Sequence, residues 1–205
     1  RVHLNLLGRL NVYNALAAAT TAFSAGIPLE PALEGMASLK GVPGRLERVD
    51  AGQPFSVIVD FAHTPDALAT VLRDARALAR GGRVIVVFGC GGDRDSLKRP
   101  LMGAAAGAHA DIAIITSDNS RSEDPQAIAD AVELGIRSSL ASYQVDLDRR
   151  RAIEVALGLA APDDVVVIAG KGHETSQTAM GATHEFNDGE VAEEILRDML
   201  LKGEL

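Results

Sequence analysis

From residue 55 onward, short and continuously apolar runs alternate with longer stretches in which apolar residues recur every three or four positions. The apolar runs at 55–61, 83–88, 111–116 and 165–169 are rich in Val and Ile and too short for buried helices, so they predict strands. A further short strand is expected near Tyr143. Between these runs the helical period predicts helices over 65–79, 97–108, 125–139 and 148–160, with a last one over 188–201. Thr64 is placed to cap the first of them, and Pro65 to open it, because proline's fixed φ suits a first helical turn. Strict β/α alternation with strands apolar on both faces predicts an α/β fold, a mostly parallel sheet covered by helices on both sides.

Upstream the texture differs. Residues 11–39 are alanine-rich and helix-prone, with Asn11 as the expected cap and Gly26-Ile-Pro28 dividing the run into two helices. Turn chemistry at Gly41-Val-Pro-Gly-Arg45 then marks a boundary, placed at residues 46/47. Residues 1–10 have no evident partner elements, so the chain is expected to be a piece of something larger.

Twenty Lys and Arg against 28 Asp and Glu give a net charge of -8, which argues against a surface that tracks nucleic-acid phosphates and favours small-molecule chemistry. The single cysteine, Cys90, excludes an internal disulfide framework and reads as a small buried hydrophobe. No apolar run reaches the roughly 18 residues that span a bilayer. The expectation is a cytoplasmic protein with neither nucleic acid nor membrane as partner.

Four polar runs follow the predicted strands, so their loops should open at one sheet edge, where open α/β sheets bind ligands. In Thr116-Ser-Asp-Asn-Ser-Arg-Ser-Glu-Asp-Pro125, Asp118 and Asn119 can accept from an ammonium group, and Arg121 can pair bidentately with a carboxylate. Ordinary turn chemistry explains much of the same run. In Gly89-Cys-Gly-Gly-Asp-Arg-Asp95 the glycines allow close backbone approach and Arg94 supplies charge, with Lys98 and Arg99 expected to extend a basic rim. A plain strand-to-helix turn competes with that reading, and Arg94 stands where a dinucleotide fingerprint needs its third glycine. Gly170-Lys-Gly-His-Glu174 combines close-approach glycines with a cation, an imidazole and a carboxylate, against the alternative of a capped polar loop. Asp60-Phe-Ala-His-Thr-Pro65 could offer His63 to a base and Asp60 to ribose hydroxyls, or simply start a helix. No phosphate-binding Gly-x-x-x-x-Gly-Lys-[Ser/Thr] loop is present, and no clustered His and Cys suggest a metal.

Taken in order, Leu10-Asn-Val-Tyr-Asn14, Pro43-Gly-Arg-Leu-Glu47, Val59-Asp-Phe-Ala-His-Thr-Pro-Asp66, the 89–95 run with Lys98-Arg-Pro100, Asp118-Asn-Ser-Arg121 and Gly170-Lys-Gly-His-Glu174 resemble the Mur ligases of peptidoglycan synthesis. The resemblance covers essentially the whole chain and is strongest for the branch that adds meso-diaminopimelate. It implies a Rossmann-like amino-acid-binding ligase domain at 47–205, preceded at 1–46 by the helical end of a central ATP-binding domain. It implies ATP and magnesium as cofactors of the full-length enzyme, and a carboxylate activated as an acyl phosphate and then attacked by the incoming amine. The UDP-N-acetylmuramoyl dipeptide would be held mainly outside this sequence, and neither catalytic residues nor metal ligands are expected within it. Asn14, Arg45, Asp60 and His63 would contact the nucleotide. Arg94, Asp118, Asn119, Ser120, Arg121, Gly170 and Glu174 would hold the diamino acid. Ser120 stands where the branch usually has proline, and Phe61 where tyrosine is common.

Other readings stay open from the sequence alone. These are a lysine- or ornithine-adding or folate- or cyanophycin-type ligase, a noncatalytic binder of an amino acid or nucleotide, and a dinucleotide-dependent oxidoreductase.

Overall fold

The computed structural model describes residues 2–205. Helices α1 (Arg9–Ser24) and α2 (Leu29–Ser38) come first, and neither buries a residue. Asn11 is not the cap. The helix begins after Gly8, whose φ of 85 turns the chain, and the Asn11 amide instead donates to the Leu7 carbonyl at 2.7 Å.

The sheet has six strands: β1 (Glu47–Val49), β2 (Ser56–Asp60), β3 (Val84–Phe88), β4 (Ile112–Ile115), β5 (Ser142–Val145) and β6 (Val165–Ala169), in the spatial order β1-β2-β6-β3-β4-β5. All neighbours run parallel except β1, which pairs antiparallel with β2 at the edge. That edge strand was not legible. Glu-Arg-Val carries no run of apolar residues, and its place comes from pairing, Glu47 opposite Val59 and Val49 opposite Val57.

Helices α3 (Pro65–Leu78), α4 (Lys98–His109) and α5 (Pro125–Ile136) cover one face, and α6 (Arg149–Leu159) and α7 (Asp188–Lys202) the other. The central strands show why their sequences do not alternate. Val84, Val86 and Phe88 of β3 pack with Leu68, Leu72 and Val132, while Ile85 and Val87 pack with Ile153, Ala156 and Leu196. Burial on both faces demands apolar residues at every position. Thr64 caps α3 as expected, accepting from the Ala67 N–H at 3.3 Å. No helix among the described residues is long and apolar enough to cross a membrane.

After β6 the chain makes a hairpin that the sequence did not suggest, β7 (Ser176–Ala179) and β8 (Ala182–Glu185). Its two-residue turn places Met180 at φ 52 and Gly181 at φ 76, the left-handed pair that matches strand twist. Every residue of β8 is exposed, so no apolar alternation marks it.

The deepest polar contact is an ion pair between Arg149, at the start of α6, and Asp188, at the start of α7, both side chains wholly inaccessible to solvent. Arg149 Nε and Nη2 each donate to an Asp188 carboxylate oxygen at 2.7 Å, and the guanidinium also donates to the carbonyls of Ala169 at 3.1 Å and Ser117 at 3.3 Å. One cation thus ties two helix starts to the ends of β6 and β4. At the opposite sheet edge Arg83 donates to the buried Asp164 through its side chain at 2.6 and 3.0 Å and through its backbone N–H at 2.7 Å.

Replacing Asp188 with Ala leaves Arg149 buried without its counter-ion, so urea unfolding should show a loss of about 3–5 kcal/mol. A loss below about 1 kcal/mol, the size of an exposed pair, would contradict that assignment. Asp164 governs acid stability. Burial disfavours its charge, but the Arg83 side chain and the N–H groups of Ala161 and Arg83 outweigh burial and hold the carboxyl below its usual value. Its folded pKa therefore lies below the unfolded one, so its contribution is full above about pH 4 and is lost as pH falls through the folded value. Asp164→Asn should lower stability at neutral pH and flatten the acid limb of a urea-midpoint profile; an unchanged limb would refute this.

Candidate functional site

β3 and β6 are neighbours, yet the chain leaving β3 enters α4 on one face and the chain leaving β6 proceeds to α7 on the other. Diverging connections open a crevice at the carboxyl ends of such a pair. A cavity of about 350 Å³ lies there, and Arg94, Asp118, Asn119, Arg121, Gly170 and Glu174 stand in its walls. Six of the seven residues expected to hold an amino acid are thereby brought together from three separate loops.

The loops are cross-bonded. Asp93 accepts from the Ser122 hydroxyl at 2.8 and 3.0 Å, and that contact holds its carboxyl below the usual range. The Gly92 N–H donates to the Asn119 carbonyl at 2.9 Å, and a Cβ at Gly92 would collide with the Ser120 carbonyl oxygen. Gly170 sits at φ 118, a backbone conformation that favours glycine, with the Asp118 carboxylate 2.8 Å from where a Cβ would be.

Arg121 is held at φ 53, its N–H donating to the Thr178 carbonyl at 3.1 Å. Its guanidinium donates through Nη1 to the Gly92 carbonyl at 2.7 Å, and Nε and Nη2 have no hydrogen-bond partner among the described residues. A planar fork anchored at one nitrogen and open at the others is suited to a carboxylate. Across the cavity Asn119 donates to Glu174 Oε2 at 2.8 Å. Cations and carboxylates in one small cavity match a zwitterion with more than one charged group.

Ser120 is the seventh. It is 1% exposed, lies off the cavity wall, and its Oγ has no hydrogen-bond partner. The basic rim is corrected. Lys98 lines the cavity and donates to the His63 carbonyl at 2.9 Å, but Arg99 is buried and paired with Glu123 at 2.8 Å. Cys90 is buried, and burial pushes its thiol up to about 12, so it is no nucleophile.

A second cavity, about 490 Å³, lies between α1, the 42–46 turn and the start of α3, and Asn14, Arg45 and Asp60 line it. His63 instead lines the first cavity, its Nδ1 2.9 Å from the Phe61 carbonyl and its ring edge-on to Phe61 at 4.6 Å. Phe61 lines the first cavity, and Arg45 of the second lies over its ring at 5.1 Å. Burial raises the Asp60 carboxyl, against the opposing Leu46 and Ala62 N–H groups and Arg45. No group of three or more His, Cys, Asp or Glu side chains able to hold a metal occurs among the described residues.

Sequence reasoning left out Lys171, which has no exposed surface and donates to Glu174 Oε2 at 2.9 Å and the Ser176 carbonyl at 2.6 Å. A lysine between two glycines was the available signal. The hairpin's contribution, through Thr178, carried none.

The family model described as "Mur ligase, glutamate ligase domain" matches residues 44–172. The chain belongs to the Mur ligase family. A relative from Solibacter usitatus (strain Ellin6076), named UDP-N-acetylmuramoyl-L-alanyl-D-glutamate--2,6-diaminopimelate ligase, is 53% identical over 192 residues, covering 94% of this chain and 39% of its own. A solved structure of a ligase of that name is 40% identical with a TM-score of 0.76, covering 97% of this chain and 40% of the other. A folylpolyglutamate synthase from Mycobacterium tuberculosis, complexed with ADP and AMPPCP, is 26% identical with a TM-score of 0.61, covering 82% and 39%. This Mur ligase chain spans about two fifths of the length of the relatives it matches.

The buried, unpartnered Ser120 hydroxyl generates a stability test. Its backbone N–H also enters no hydrogen bond in the loop among the described residues. Ser120→Pro should therefore stabilise the chain by about 0.4–1 kcal/mol by narrowing the unfolded ensemble. Destabilisation in a thermal or urea melt would mean that the loop's backbone angles here do not suit proline.

Proposed function

We propose that this chain supplies the amino-acid-placing part of an ATP-dependent, amide-forming ligase that adds meso-diaminopimelate to UDP-N-acetylmuramoyl-L-alanyl-D-glutamate in cytoplasmic peptidoglycan synthesis. The observation that carries the reading is the two-signed cavity with the anchored, open guanidinium of Arg121. Diaminopimelate differs from lysine by a carboxylate on its far carbon. That group gives Arg121 a partner that lysine lacks, and a site built around such a pair rejects the analogue that leaves it unpaired. The names of relatives matching 94–99% of the chain support the same substrate.

The chain's own residues would bind and orient. Asp118 and Glu174 would receive an ammonium group, with Asn119 holding Glu174 in place, Arg94 and Arg121 would receive the carboxylates, and Gly170 would let the ligand approach the backbone. Holding the amine against an activated carboxylate makes a bimolecular step effectively unimolecular. Asn14, Arg45 and Asp60 would hold the nucleotide in the second cavity, with His63 on the amino-acid side of Phe61. The synthase complexed with ADP and AMPPCP supports nucleotide use in this fold. Residues 1–46 would be the edge of the ATP-binding domain and 47–205 the ligase domain. Magnesium would accompany ATP, held mainly by phosphate oxygens and waters, and no group of three or more metal-ligating side chains occurs among the described residues.

Calorimetric titration of this chain with meso-diaminopimelate and L-lysine tests the assignment. Binding should favour diaminopimelate, and Arg121→Ala should weaken it by about two decades while leaving adenosine-nucleotide affinity nearly unchanged. Equal affinity for the two amino acids, or indifference to the substitution, would overturn it.

A further inference from the structure

Lys171 is an unusual residue to bury completely. Burying an ammonium is costly unless its donors are matched, and a lysine has three of them. Here the three find Ser176 O at 2.6 Å, Glu174 Oε2 at 2.9 Å and Asn119 Oδ1 at 3.4 Å. These acceptors belong to three different segments: the first hairpin strand, the loop after β6 and the loop after β4. Gly170 at φ 118 and Gly172 at φ 52 flank the lysine and turn the backbone so that its side chain points inward while the loop itself walls the cavity.

The consequences fall on two residues that do reach the cavity. Glu174 Oε2 is taken up by Lys171 and by the Asn119 amide, whereas Oε1 has no hydrogen-bond partner among the described residues. The Asn119 amide is fixed in turn. Its oxygen accepts from the Thr178 N–H at 2.9 Å and faces Lys171, so its nitrogen must turn to Glu174. Without the lysine, only the Asn119 amide among the described groups would hold the Glu174 carboxylate on the cavity wall.

We infer that Lys171 is a positioning residue for amino-acid recognition: it fixes Glu174 so that Oε1 is the acceptor presented to the ligand's ammonium group, and it fixes which end of the Asn119 amide faces Glu174. The inference rests on the reading of this cavity as an amino-acid site. Lys171 does not itself touch the ligand, having neither exposed surface nor a place in the cavity wall.

The test uses this chain with Lys171→Met, Lys171→Gln, Glu174→Gln and the Lys171→Met/Glu174→Gln double variant. Lys171→Gln keeps a donor for the Ser176 carbonyl and serves if the methionine variant does not fold. Meso-diaminopimelate affinity, read by calorimetry, should fall about tenfold or more in either lysine variant, the scale of a lost hydrogen bond to a charged group. Adenosine-nucleotide affinity should change less than about twofold, a split that general loosening of the fold would not give. The double variant should bind no worse than the weaker of its two single variants, because both changes act through one carboxylate. Fully additive losses, or a lysine variant that binds like the parent while Glu174→Gln does not, would overturn the inference. If the parent itself ignores diaminopimelate, the amino-acid reading fails, and the lysine's role is decided without ligand. Nitrogen-15 spectra should then show the Asn119 side-chain amide and the Thr178 N–H losing hydrogen-exchange protection in Lys171→Gln, with the strand amides of β3 and β6 unaffected. Retained protection would refute the positioning role.

Discussion

The site depends first on a charge pair that never meets solvent. Arg149 and Asp188 open the two helices on one face of the sheet, and the same guanidinium reaches the carbonyls that end β6 and follow β4. Buried ions are tolerated only when every donor and acceptor is matched. The matching here fixes where the two site loops leave the sheet. A hydrophobic pair of equal volume could fill the space, but it would not hold two strand ends at a set separation, since apolar contacts carry no direction.

Above that anchor, the loops define one another more than the sheet defines them. Asp93 holds Ser122, Gly92 lies against Asn119 and Ser120, and the hairpin strand β7 supplies backbone groups to both Asn119 and Arg121. Each contact joins segments far apart in sequence. A site built this way is set by a closed network of hydrogen bonds, and the Arg121 backbone at φ 53 is tolerated because its N–H is committed to the hairpin. Phe61, in the wall of the first cavity, lies under Arg45 from the second cavity and edge-on to His63.

The architecture was largely legible in the chain. Four Val- and Ile-rich runs gave four sheet strands, the helical periods gave the five helices that cover them, and Thr64 capped where it was expected to. The motif residues that follow β3, β4 and β6 also met in one crevice, because strand parallelism forces successive carboxyl ends to one edge, whereas Asp60 at the end of β2 lines the second cavity. The misses share a cause. β1, β7 and β8 are short, edge or exposed strands without an apolar pattern, and only pairing with a neighbour makes them strands. Arg99 was expected on a basic rim, whereas its direction, inward to Glu123, depends on loop geometry that spacing does not encode.

The sequence by itself therefore determined the α/β layering, the edge at which the loops gather and the chemical inventory of those loops, because burial period and strand direction are local or follow from alternation. Only the tertiary structure decided that Arg149 and Asp188 pair, that Lys171 lies buried beneath Glu174, that Arg121 keeps an open fork and that His63 lines the same cavity as Arg121. Those outcomes depend on which charged groups meet across distant segments once water is excluded, and no periodicity along the chain records such meetings.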